Sequence, residues 1–225
     1  MNPNQPSQPN MNQNQQPAAT NNPEFIHQNM QTGQVPAQLN HGGHEMFDVH
    51  EMLSGIVSTL NLYTMCRGHV QDPELKTMLN SHYQHISKEY NACVQAFQTG
   101  TNPAHKTETY MMKQDNDFVY GLKPAQPKKP IQSVTELNDE TVSMLILGTL
   151  KSNASLRAMA TLEVTNPVMR RVLADGIPNW IEMAYELSIW QNKNHYYQVP
   201  QLNQQDMTSM LNAYAPSQQT QPPLQ

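Results

Sequence analysis

Two clusters in this 225-residue chain combine residue types that hold metal ions. The first is His41-Gly42-Gly43-His44-Glu45-Met46-Phe47-Asp48-Val49-His50-Glu51, in which His44 and Asp48 stand four apart. On a helix that spacing puts an imidazole and a carboxylate on one face, within reach of one divalent ion. The same run reads as a polar helix start whose acids complement the helix dipole, and that reading is favoured. The second cluster is His82, His85 and Glu89. His85 and Glu89 are also four apart, and a hydrogen bond between them explains the spacing as well as a metal does. His82 then reads as a satisfied core histidine. His44, Asp48, His82, His85 and Glu89 together define the alternative expectation, a metal-binding or redox site.

A di-metal carboxylate site in a helical bundle takes a Glu from each of two helices and Glu-x-x-His from each of the other two. Glu-x-x-His occurs once, at Glu24 to His27, in an Asn/Gln-rich stretch without helical periodicity. Beyond Asp139 and Glu140 in its first turn, the third periodic segment offers only Glu163, near its far end. The fourth offers Asp175, Glu182 and Glu186, with no histidine before His195. The ligands of such a site do not assemble, so the expectation is no resident metal and no cofactor. Nucleophilic chemistry lacks its motifs too: there is no G-x-S-x-G and no Gly-rich phosphate loop. Cys66 and Cys93 share no metal-ligand spacing and neither begins a predicted helix. They read as reduced, half-buried thiols. No catalytic residue is expected, and the chain is not read as an enzyme.

The elements that position these residues come from a repeat. Val70-Gln71-Asp72-Pro73-Glu74-Leu75-Lys76-Thr77-Met78-Leu79 returns as Val164-Thr165-Asn166-Pro167-Val168-Met169-Arg170-Arg171-Val172-Leu173. Asp72 and Asn166 are N-caps, and Pro73 and Pro167 take the first helical position, where a missing N–H costs nothing. Each copy therefore ends one helix and starts the next. Helices are predicted from His44 to about His69, Pro73 to about Gln98, Asn138 or Asp139 to about Val164, and from Pro167 onward. Met46, Val49, Leu53, Ile56, Leu60 and Tyr63 form the apolar stripe of the first. Leu75, Leu79, His82, Ile86, Glu89 or Tyr90, Cys93 and Phe97 form that of the second. Val142, Ile146, Thr149, Asn153, Leu156 and Ala160 line the third, broadened by Leu145, Met159 and Leu162. The fourth carries Met169, Val172, Leu173, Trp180, Met183, Ala184, Leu187 and Trp190, with a kink or break expected near Pro178. Leu53 and Leu147, Ser58 and Ser152, and Met65 and Met159 keep the same offset as Pro73 and Pro167, as two hairpins related by a pseudo-twofold would. Two such hairpins make an all-α four-helix bundle. The proline-rich connection from Thr99 to Asn138 must then cross the full length of the bundle, with a short amphipathic piece expected around Tyr110 to Tyr120.

Charge and composition bound the rest. Asn, Gln and Pro supply 24 of the first 40 positions, and Glu24 is the only charge there. Residues 1–40 and 203–225 are therefore expected to be disordered tails around a folded unit at 41–202. A net charge of −5 without a basic patch gives no sign of nucleic-acid binding. The longest apolar run, Met144 to Leu147, is too short for membrane insertion. The first Lys or Arg is Arg67, so no signal peptide is read and an intracellular site of synthesis is expected.

The stretches GGHEMFDVHEMLSG, VQDPELKTML, YMMKQDNDFVYGLKPAQPKKP, TLEVTNPVMRRVLADGIPNWIEMAYEL and HYYQVPQL resemble the spore coat protein F family of endospore-forming bacteria. The resemblance spans roughly His41 to Leu202. It implies a ferritin-like four-helix bundle and a structural, non-catalytic role in the spore. It further implies synthesis in the mother-cell or sporangial cytoplasm, deposition in the coat, and other coat proteins or a second copy as partners. It lends no catalytic residue.

Overall fold

The computed structural model describes residues 35–217. The Glu24 to His27 motif and the expectations for residues 1–34 and 218–225 lie outside the described residues. Regular structure among the described residues is helical: α1 Gly43–Cys66, α2 Pro73–Thr99, α3 Asp139–Glu163, α4 Pro167–Lys193 and α5 Gln204–Leu211. Short 3-10 turns cover Ala37–Leu39, Arg67–His69 and Val134–Glu136. A single parallel bridge joins Tyr120 to Val199.

The helix starts form as the capping residues dictate. The Asp72 carboxylate accepts from Leu75 N–H, Asn138 from Thr141 N–H, and Asn166 from both Val168 and Met169 N–H. α2 stops at Gly100, whose φ of +65° is the left-handed cap that glycine adopts without strain. α1 packs on α2 and α3, and α4 packs on the same two, so the four long helices close a ring. Val49, Ile56, Leu75, Ile86, Val142, Ile146, Leu150, Leu173, Trp180, Leu187 and Trp190 are fully buried inside it. Each such side chain contributes about 1.5–3 kcal/mol relative to exposure.

The two ends of the ring are latched by matching carboxylates. Asp139, the first residue of α3, accepts from Gln71 N–H at 2.8 Å and Asp72 N–H at 3.1 Å in the α1–α2 corner. Glu45, near the start of α1, accepts from Thr165 N–H at 2.9 Å and Asn166 N–H at 3.0 Å in the α3–α4 corner. Glu45 and Asp139, Gln71 and Thr165, and Asp72 and Asn166 share the Pro73 to Pro167 offset. The repeat in the sequence is thus a pseudo-twofold in space. α3 starts beside the start of α2, so the connection between them crosses the whole ring.

The structure corrects several local expectations. α1 is rotated: Met46 is exposed, Leu53 and Leu60 are half-buried, and Glu45, Met52 and Thr59 point inward. The cause is polar, because Glu45 must reach the far corner and Thr59 accepts from Asn153 Nδ2 at 3.0 Å. In α3, Leu145, Met159 and Leu162 face solvent while Ser143, Arg157 and Thr161 are buried. α4 runs unbroken through Pro178, which lies on its exposed side, where water can hydrate the carbonyl it frees. The piece around Tyr110 to Tyr120 is not helical, since its backbone bonds to α4 side chains instead. At the C-terminal side, Asn203 caps a helix at Gln204–Leu211 where no regular structure is expected from composition. At the N-terminal side, the turn Ala37–Leu39 lies against Gly100.

Candidate functional site

Two networks of buried polar side chains join the inward faces of the long helices to the crossing segment. In the first, Tyr63 O–H donates to His82 Nδ1 at 3.0 Å, and His82 Nε2–H donates to Glu186 Oε2 at 3.0 Å. Tyr110 O–H donates to the same oxygen at 2.5 Å, and Lys113 N–H donates to Glu186 Oε1 at 2.7 Å. This donor order needs a neutral imidazole. Burial of His82 pushes its pKa below the ordinary value, against the pull of Glu186. Burial raises Glu186, but the bonds from His82, Tyr110 and Lys113 N–H outweigh it and hold its pKa below the usual carboxylate value. Burial pushes the phenols of Tyr63 and Tyr110 up, so both stay protonated donors.

In the second network Glu89 forms a buried ion pair with Arg157. Its Oε1 also accepts Trp180 Nε1–H at 2.7 Å, and its Oε2 accepts Asn179 Nδ2–H at 3.3 Å. The guanidinium further reaches Leu173 O at 3.5 Å and Cys93 Sγ at 3.8 Å, and lies over the Trp180 ring. Gly176 makes room for it, since a Cβ there would stand 2.5 Å from Arg157 Nη1. Burial raises the Cys93 thiol although Arg157 pulls the other way, and burial raises Cys66 as well. Neither thiol is set up as a thiolate nucleophile.

Both networks hold the crossing segment against α4. Asn179 Oδ1 accepts Tyr110 N–H at 2.9 Å while its Nδ2 donates to Glu108 O at 2.8 Å. Glu186 takes Tyr110 O–H and Lys113 N–H. Asn192 Oδ1 accepts Val119 N–H at 2.6 Å and its Nδ2 donates to Val119 O at 3.0 Å. Farther on, Gly121 N–H donates to Val199 O at 2.9 Å and Lys128 Nζ to Tyr196 O at 2.8 Å. α4 is therefore a polar rail. A connection too rich in proline to make its own backbone bonds takes them from Asn179, Glu186 and Asn192.

The sequence-expected ligands divide accordingly. His44 is exposed and Asp48 half-buried at the start of α1. His82, His85 and Glu89 do come together on α2 beside Tyr110, whose ring lies 5.3 Å from each imidazole. His85 Nε2 stands 3.8 Å from Glu89 Oε2, and burial lowers its pKa. A cleft of about 350 Å³ opens at His85 and Glu89, with His105 and Glu108 on its far side. No three His, Cys, Asp or Glu side chains among the described residues converge closely enough to hold one ion. Sequence reasoning missed Arg157, Asn179 and Tyr110, and named Glu186 only as one of the acids of the fourth segment. Arg157 and Glu186 each fall inside an apolar stripe, four after Asn153 and three after Met183, and that position was the signal.

Residues 138–200, from the start of α3 through α4, match the Coat F domain. The chain is 49% identical over 184 residues to the spore coat protein F-like protein YhcQ of Bacillus subtilis (strain 168), covering 82% of this chain and 85% of that one. No solved structure matches it. A relative of that identity over that length includes both hairpins, and the chain belongs to the Coat F family.

Proposed function

We propose that this chain is a non-catalytic structural protein of the bacterial endospore coat, with its four-helix ring a ferritin-like four-helix bundle. It is made in the mother-cell cytoplasm and assembles with other coat proteins. The observation that carries this reading is the likeness to a spore coat protein F-like relative across both hairpins. The buried polar groups support the non-catalytic part. Glu89 and Glu186, buried on the inward faces of α2 and α4, are committed to Arg157, Trp180, His82 and the crossing segment. No helix among the described residues is long and apolar enough to cross a membrane.

A metal-binding or redox bundle is the second reading, and the cleft at His85 and Glu89 is what favours it. Metal analysis of the full-length chain separates the two. The structural reading expects no stoichiometric iron, manganese or zinc and no oxygen consumption with ferrous iron. One tightly held metal per chain, lost on replacing His85 and Glu89 together, would establish the second reading instead.

A further inference from the structure

We propose that the outer face shared by α1 and α3 is the contact surface for a second copy of this chain. The inference does not depend on the coat reading. The ring has two faces through which its pseudo-twofold passes, one between α2 and α4 and one between α1 and α3. The chain covers the first itself, because Tyr110 of the crossing segment lies against His82 and His85 of α2 and bonds to Asn179 and Glu186 of α4. Nothing in the described chain covers the second in that way.

The uncovered face has the composition of a contact. Met52 to Cys66 of α1 contains no Asp, Glu, Lys or Arg. Between Glu140 and Glu163, α3 contains only Lys151 and Arg157. Arg157 is buried, and the Lys151 ammonium is drawn aside to within 5.0 Å of the Tyr197 ring. Exposed Met65, Leu145 and Met159 supply apolar contact around Ser58 and Ser152, which the repeat places at equivalent positions, and exposed Glu51, two turns before Ser58, marks the charged edge of the face with Phe47 beyond it. Soluble surfaces place charges on outward helix faces, and α2 does so with Glu74, Lys76 and Lys88.

Size and symmetry select a second copy as the occupant. Two helices about 36 Å long and together about 20 Å wide present about 700 Å², close to the roughly 800 Å² per partner of a standard interface. A closed dimer needs one patch that complements itself. A face already related to itself by the pseudo-twofold meets that need, with its centre at Ser58 and Ser152 opposite the same centre of the second copy.

Sedimentation equilibrium of the full-length chain tests the inference, with thermal melts of each variant as the folding control. The expected mass is twice 25.5 kDa at micromolar concentration. Ser58→Glu with Ser152→Glu should give the single-chain mass at least tenfold above the wild-type dissociation range, with the melting of the helices retained. A single cysteine introduced as Ser152→Cys should form an intermolecular disulfide under mild oxidation, whereas Gln84→Cys on α2 should not. A single-chain mass for the wild type at 100 micromolar, a dimer indifferent to both charges, or a dimer lost only on deleting residues 203–225 would each overturn it. The last result would assign the contact to α5 and its exposed Met207, Met210 and Leu211.

Discussion

Arg157 is the most consequential side chain that the apolar pattern conceals. A guanidinium inside a core persists only with its carboxylate and further acceptors in place, and removing one member strands the other. Arg157→Ala should therefore cost about 3–5 kcal/mol in urea unfolding. Replacing Glu89 and Arg157 together by Met and Leu should restore part of that loss, a coupling that a double-mutant cycle reads. Gly176→Ala should destabilise by about 1–3 kcal/mol through overpacking against the same guanidinium. Titration gives a second check. Burial depresses His82 and His85, so the unfolded chain takes up their protons first and stability falls as pH drops below about 6.5. The depressed Glu45 and Glu186 keep their contribution down to about pH 4.5 and lose it below, as the folded-state carboxylates protonate. Burial raises Glu45, but bonds from His41, Asn166 and Thr165 outweigh it. A thermal midpoint unchanged from pH 8 to pH 4 would contradict this assignment. At this scale the sequence was least legible. Type and spacing found His82, His85 and Glu89, but their partners lie on other helices at separations no local pattern encodes.

The helices were readable because their signals are local. Asp72 and Pro73, Asn166 and Pro167, Asn138 and Gly100 each act within one turn, and the structure puts helix ends at all of them. The orientation of α1 was harder, because Glu45 is polar by type and buried by function. The two corner latches make a paired prediction. Glu45→Ala and Asp139→Ala should each cost about 1.5–3 kcal/mol, the range for hydrogen bonds to a charged group. Loss of the Asp72 or Asn166 cap should cost about 0.5–2 kcal/mol. The latches act at opposite ends, so the double variant Glu45→Ala with Asp139→Ala should be nearly additive in chemical denaturation. The crossing segment should respond differently. Asn179→Ala and Asn192→Ala should speed hydrogen exchange at Tyr110 and Val119 N–H by at least tenfold, with a smaller effect on the core of α2. Equal protection in variant and wild type would show that the rail is not what holds the crossing in place.

For the molecule as a whole, the repeat told more than any single residue. The offset between Pro73 and Pro167 implied two equivalent hairpins, and Glu45 and Asp139 show the equivalence extending to the bonds that join them. What the repeat could not show is where symmetry is broken. Tyr63 and His82 in the first hairpin correspond to Arg157 and Gly176 in the second. One pair places an imidazole where the other leaves a gap for a guanidinium, and the crossing segment covers only the α2–α4 side. A fold whose buried polar groups anchor its own chain suits a component that is laid down and stays. Fractionation of purified spores tests that claim most directly. Full-length tagged chain expressed during sporulation should be recovered in the coat extract released by alkaline detergent and reductant, and should be missing from the stripped spore. Recovery in the spore core, or in vegetative cytoplasm with none in the coat extract, would contradict it.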